Sequence, residues 1–314
     1  VSLAPADLLH AWDRAWAWLG GRRERPAPAF TSAYDEVFDT LDPAELRGDT
    51  DPLDDLGLAD ALFRVDARQS RILGFYSENG VRLAFERYGF FDLLRDRGFD
   101  PVLVGDLSDP DVHRLVIHDG DPANGRLLIE LVVWVEGLTL PDGCAGRYLF
   151  VNWLQMQDPT TSFPPDRTPL PDQDHPGLGL FVEFGYLMQL TARRIGCDGL
   201  VNHPTHPHNG VLYGKFCRFV DPLLEGRLRA LIRDVDTEDL GRLSTLVEAG
   251  RVVDETGTPL DWEPGPQVLP VSQRARAWFE SDAYRSELKR VRQTIRLRVL
   301  DPPDAASDTT RDPG

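Results

Sequence analysis

The chain has 314 residues, 41% of them apolar and 27% charged, which is enough for one large domain or two ordinary ones with a sizeable core. Its formal net charge of −17 repels phosphate backbones and anionic lipid, so no nucleic-acid or membrane partner is expected. The three cysteines, Cys144, Cys197 and Cys217, are far apart and odd in number. With no secretory pattern or long apolar run beside them, they predict a reducing, cytoplasmic setting.

In chain order, "PADLLHAWDRAWAWLGG" (5–21) carries apolar residues at helical spacing and stops at a Gly-Gly pair. Two further short helical patterns are expected within 32–64, separated by the acidic "RGDTDPLDD". "SENGVRLAFERYGFFDLLRDRGF" (77–99) predicts one amphipathic helix, with Val81, Phe85, Tyr88, Phe91 and Leu94 on a face. Four strands follow: "DPVLVGDL", "HRLVIHDG", "RLLIELVVWVEG" and "YLFVNWLQMQ", with "DPANG" as the turn between the second and third. The third and fourth are apolar almost throughout, as in a sheet covered on both faces.

A long proline-rich loop, 158–174, then leads to "DHPGLGL" and a helix over about 178–195. "DGLVNHP" predicts a short strand, "HNGVLYGKF" a short helix and "CRFVDP" another strand. Residues 223–249 look helical, 251–264 form a hairpin turning at Thr256 and Gly257, and 272–295 form one helix. The tail from 301 to 314 has the composition of a disordered segment.

A Gly-x-Gly at a helix start leaves backbone N–H groups free and lets a ligand come close, and the positive end of the helix suits a pyrophosphate. Here the turn supplies Gly177 and Gly179, with Leu178 and Leu180 between and after them. Downstream, "HNGVLYGKFCRF" supplies Asn209, Tyr213, Lys215 and Phe216. In their order along the chain these two motifs resemble those of the GNAT superfamily of acyl-CoA-dependent N-acyltransferases, over roughly residues 70–222. Gln173 stands one residue ahead of the family's Gln/Arg position, which Asp174 occupies, and Cys217 and Arg218 stand where the family has one glycine.

The resemblance implies a mixed α/β fold, a GNAT-like central mixed sheet flanked by helices. It divides the chain into an N-terminal helical segment (1–65), a core (66–222) and a C-terminal helix–hairpin–helix extension (223–300). It implies acetyl-CoA or another acyl-CoA as cofactor, held by Gln173, His175, Gly177, Leu178, Gly179, Leu180 and Asn209, and a small-molecule or peptide amine as acceptor. Tyr213 matches the family tyrosine that protonates the departing thiolate, a role open to a phenol with pKa near 10.

Removing the amine proton needs a base, and Glu130, which interrupts the third strand, is one candidate. In the GNAT-like layout His203, His206 and His208 border the thioester, and His206 or His208 is another candidate. A zinc site is the competing reading of these histidines. Pro204 and Pro207 splay the chain and no cysteine lies close by, so no metal is expected. The altered glycine loop and the longer tyrosine motif keep a second function in view: a GNAT-like module that binds without catalysing.

Overall fold

A computed structural model describes residues 30–48, 71–165, 169–170, 173–235 and 239–300. The expected helix at 5–19, the second helical pattern before residue 64 and the C-terminal tail lie outside these residues.

The chain enters with α1 (Phe30–Thr40) and α2 (Pro43–Arg47), the latter capped by the Asp42 carboxylate. The segment expected as one helix is two: α3 (Glu78–Arg87) and α4 (Phe90–Arg95). Gly89, at φ +68°, turns the chain between them, so the apolar spacing continues while the axis does not. Ser77 caps α3 by accepting from the Gly80 N–H at 2.9 Å. Gly80 touches the α2 backbone so closely that a Cβ there would sit 1.9 Å from the Leu46 carbonyl oxygen.

The four predicted strands are present as β1 (Pro101–Asp106), β2 (His113–Asp119), β3 (Arg126–Thr139) and β4 (Ala145–Met156), joined antiparallel in sequence order. Helix α5 (Phe181–Arg194) crosses back to β5 (Gly199–Asn202), which runs parallel to β4. Then come α6 (Pro207–Tyr213), β6 (Arg218–Phe219), α7 (Pro222–Asp234) and α8 (Leu240–Glu248).

The region expected as a hairpin holds β7 (Val252–Asp254) and a tight turn in which the Asp254 N–H donates to the Thr258 carbonyl, with Gly257 at φ +86°. The expected hairpin closes through the antiparallel Val253–Pro259 bridge, and the ladder partner of β7 is the distant β9 (Leu297–Val299). Between them lie β8 (Gln267–Pro270), α9 (Gln273–Glu280) and α10 (Asp282–Thr294). The last two were expected as one helix. Ser281, in extended conformation, ends α9 and caps α10 by accepting from the Tyr284 N–H.

The result is a mixed α/β fold with a seven-stranded mixed sheet in the order β1-β2-β3-β4-β5-β8-β6, flanked by helices. Strand β8, which lies in the predicted C-terminal extension, inserts between β5 and β6. One sheet face packs on α1 to α5, with Phe90, Phe91, Leu94, Phe184 and Leu149 at most 1% exposed. Each such side chain contributes roughly 1.5–3 kcal/mol of burial. The other face packs on α9 and α10 through Tyr148, Phe150, Val201, Val268, Phe279 and Tyr284. That cover does not extend over the middle of β3, whose Glu130, Val132 and Trp134 are only half-buried. The near-continuous apolar run of β3 therefore serves one fully covered face and one partly covered one.

Candidate functional site

The parallel pairing of β4 and β5 is short. Tyr148, Leu149, Phe150 and Val151 pair with Gly199, Leu200, Val201 and Asn202, and the ladder ends there. Strand β4 continues to Met156 with β3 as its only strand partner among the described residues, after a bulge in which Asn152 is the extra residue between Val151 and Trp153. A bulge bends and twists its strand. Beyond it, among the described residues, the β4 edge over 152–156 has no strand paired to it on the β5 side.

The glycine turn lies against the end of that edge. The Asp158 N–H donates to the Pro176 carbonyl at 2.7 Å, and a Cβ on Gly177 would lie 3.5 Å from the Met156 carbonyl oxygen. Gly177 and Gly179 are exposed, whereas Leu178 and Leu180 are buried in the core and anchor the turn. Gly179 has φ +71°, and a Cβ there would meet open space. No side chain caps α5 at Leu180, so its first-turn N–H groups point out of the helix end. Glu183, in that turn, is the acidic group closest in sequence.

Tyr213 closes the same corner. Its ring lies 5.6 Å from Phe181, the first residue of α5, and Phe216 lies 5.8 Å from the same ring. Among the described residues the Tyr213 hydroxyl has no hydrogen-bond partner. Burial, with the nearby Cys217, pushes its pKa up to about 12, so it is a neutral donor across the ordinary pH range. Asn202, at the end of β5, donates to the Cys217 Sγ at 3.5 Å, while its own Oδ1 is buried without a partner among the described residues. The order of motifs in the sequence did not single out Asn202 or Phe181. The only available signal was their position, one ending a strand and the other beginning a helix.

The opposite sheet face is furnished differently. Trp134 and Phe150 stack at 5.4 Å and 7° between planes, and His203, directly after β5, lies over Phe150 at 6.3 Å and 14°. Trp153 stands 44% exposed on the same face. His203 is exposed, and partial desolvation against the sheet lowers its pKa below its ordinary value.

The other predicted residues lie elsewhere. His206 donates from Nδ1 to the Glu248 carboxylate of α8 at 3.1 Å. Ser244 donates to the same carboxylate at 3.1 Å, so its single hydroxyl proton is committed and it accepts from His208 Nδ1 at 3.0 Å. Burial, with His206 beside it, lowers the His208 pKa to about 4. The two imidazoles thus fasten α6 to α8. Glu130 pairs with Arg114 on the neighbouring strand at 2.6 Å. Gln173 closes its own turn, its side chain accepting from the Leu170 N–H at 3.3 Å. His175 is half-buried just before the turn, and Asn209 is half-buried in the first turn of α6. Of the predicted set, the structure brings together 177–180 and Tyr213. Among the described residues no group of three or more His, Cys, Asp or Glu side chains is arranged to hold a metal ion.

The fold and this corner define the class as a mixed α/β protein in which β4 runs on past the end of its short parallel partner, beside an open helix start. Comparison with known proteins adds no family: no family model matches the chain, and neither does any curated protein. Among the described residues no helix is long and apolar enough to cross a membrane.

Proposed function

We propose that the protein is a GNAT-like, acyl-CoA-dependent N-acyltransferase. The observation that carries this reading is the β4 edge that runs on past the end of β5 beside the uncapped start of α5. That edge offers backbone groups to an extended amide-bearing arm, and the 177–180 turn offers N–H groups to a pyrophosphate. The Tyr213 hydroxyl, unpartnered and protonated, donates to the leaving thiolate. The amine approaches from the aromatic side of the sheet, where His203 accepts its proton. This assignment moves the base from His206, His208 and Glu130 to His203, because the first three are engaged in structural contacts.

Those same contacts favour one alternative, a module that binds an acyl-CoA without turnover. Thermal unfolding with acetyl-CoA or CoA tests binding, since a ligand at a hundred times its Kd stabilises by about 2.7 kcal/mol. The expected rise is several degrees, and no rise at millimolar CoA would sink both readings. Thiol release from acetyl-CoA across a panel of amines then separates them: release supports the enzyme, binding without release the silent module.

A further inference from the structure

Residues 285–298 hold six Lys or Arg and a single Glu, in a chain whose acidic residues outnumber its basic ones 51 to 34. Helix α10 sets three of these cations on one face. Arg285, Lys289 and Arg292 stand at i, i+4 and i+7, within about 60° of arc and roughly 6 Å from one to the next. All three are exposed, and none has a carboxylate partner among the described residues. Several exposed arginines elsewhere do: Arg95 with Glu86, Arg126 with Asp119 and Arg274 with Asp198. On the other flank of α10 itself, Arg290 pairs with Glu287 at 2.6 Å.

Like charges three and four residues apart repel along a helix, so the row weakens α10 rather than supporting it. The helix is held by its inner face and its ends. Tyr284, Leu288 and Val291 are buried, and Tyr284 donates to the Phe219 carbonyl at 2.8 Å. A Cβ on Gly226 of α7 would come within 2.6 Å of the Val291 Cβ, so the two helices touch closely. Ser281 caps the start of α10, and Arg296 donates to the Arg292, Gln293 and Ile295 carbonyls at its end. The three cations therefore stand in fixed order over about 10 Å. Carboxylates repeating at the same spacing match that row, and one face of an acidic helix offers them. A long polyanion such as duplex DNA would carry its charge past the row, over a chain of net charge −17. We propose that this face of α10 docks an acidic helical segment of a partner protein, its carboxylates at i, i+4 and i+7 set against Arg285, Lys289 and Arg292. The inference does not depend on the acyl-CoA reading.

Fluorescence anisotropy of the full chain with three labelled probes tests it. The first is an Ala- and Gln-based helical peptide with Glu at i, i+4 and i+7. The second has the same composition with its Glu residues spread around the helix, and the third is a short DNA duplex. The expected result is saturable binding of the one-faced peptide at low salt, weakened at least about tenfold by roughly 0.3 M salt. The other two probes should bind about tenfold more weakly. Arg285→Gln, Lys289→Gln and Arg292→Gln together should cost the one-faced peptide at least about tenfold, while Arg290→Gln leaves it within about twofold. All four side chains are exposed, so these variants keep the fold, which circular dichroism checks. The proposal is overturned if the triple variant binds as tightly as the parent, or if Arg290→Gln costs as much as the triple change. It is equally overturned if the spread peptide or the duplex binds as tightly as the one-faced peptide, or if no saturable binding appears below about 1 mM.

Discussion

Strand β5 has two unlike sides. Toward β8 all four of its residues pair antiparallel, and most polar groups around that seam are matched, although the Gln267 Oε1 is buried without a partner among the described residues. The fully buried Glu225 accepts from Arg229 Nε at 2.7 Å and from the Phe219 N–H at 2.9 Å, and Arg229 donates on to the Gly214 carbonyl. Tyr284 donates to the Phe219 carbonyl at 2.8 Å. Asp198 binds Arg274 and the Arg147 N–H. Despite burial, these hydrogen bonds hold the Asp198 carboxyl below its ordinary pKa. Toward β4 all four residues pair as well, in parallel, but β4 runs on past the end of β5, and beyond that point the Tyr213 hydroxyl and the α5 helix start have no side-chain partner among the described residues. The two sides differ beyond the end of β5, where β4 continues and β8 does not, rather than along the strand itself.

The largest test of that contrast is Glu225→Ala on the matched side. It leaves Arg229 buried and uncompensated, and should lower unfolding free energy in urea by about 3–5 kcal/mol. A loss under 1 kcal/mol would deny the seam its structural role.

Next comes pH. The His208 pKa lies near 4 in the folded chain against about 6.5 unfolded, so the unfolded state binds the extra proton between these values. Stability should fall by up to about 3 kcal/mol as pH drops from 6.5 to 4. His208→Leu should flatten that part of the profile, and an unchanged slope would assign it elsewhere.

On the open side, Gly179→Val places a β-branched residue at φ +71° and should cost about 1–2 kcal/mol. If the turn holds a pyrophosphate, the same change weakens CoA binding at least tenfold, an effect visible by calorimetry. Equal affinity in the folded variant would clear the turn of that role.

The smallest stability change belongs to Tyr213→Phe, within about 0.5 kcal/mol, because the lost hydroxyl has no partner. Its effect should fall on turnover, by about 10²-fold, with acyl-CoA affinity nearly kept. A large drop in melting temperature would instead make it a structural tyrosine like Tyr284.

Much of the layout was legible. Strands β1 to β4 announce themselves as apolar runs bounded by Asp, Gly and Pro, and the helix after the glycine turn by its apolar face. Breaks inside a continuous periodicity were not legible, at Gly89 and Ser281, because spacing reports a face and not a change of axis. Strand β8 was missed because "QVLP" is four residues long and begins and ends among prolines. The histidine cluster was visible as a cluster, but only His206 and His208 stay together, stacked on each other over the Glu248–Ser244 pair, while His203 goes to Phe150.

By itself the sequence determined the local pieces: strands from apolar runs, helix starts from Asp42, Ser77 and Asp221, and turns from glycines at positive φ. These follow from forces acting within a few residues. Tertiary structure alone decided that β4 runs on past the end of β5, that β8 closes the far side of β5, and that Arg194 of α5 reaches the Phe38 and Leu41 carbonyls. Those outcomes depend on pairing and packing between segments tens of residues apart, which no local spacing encodes.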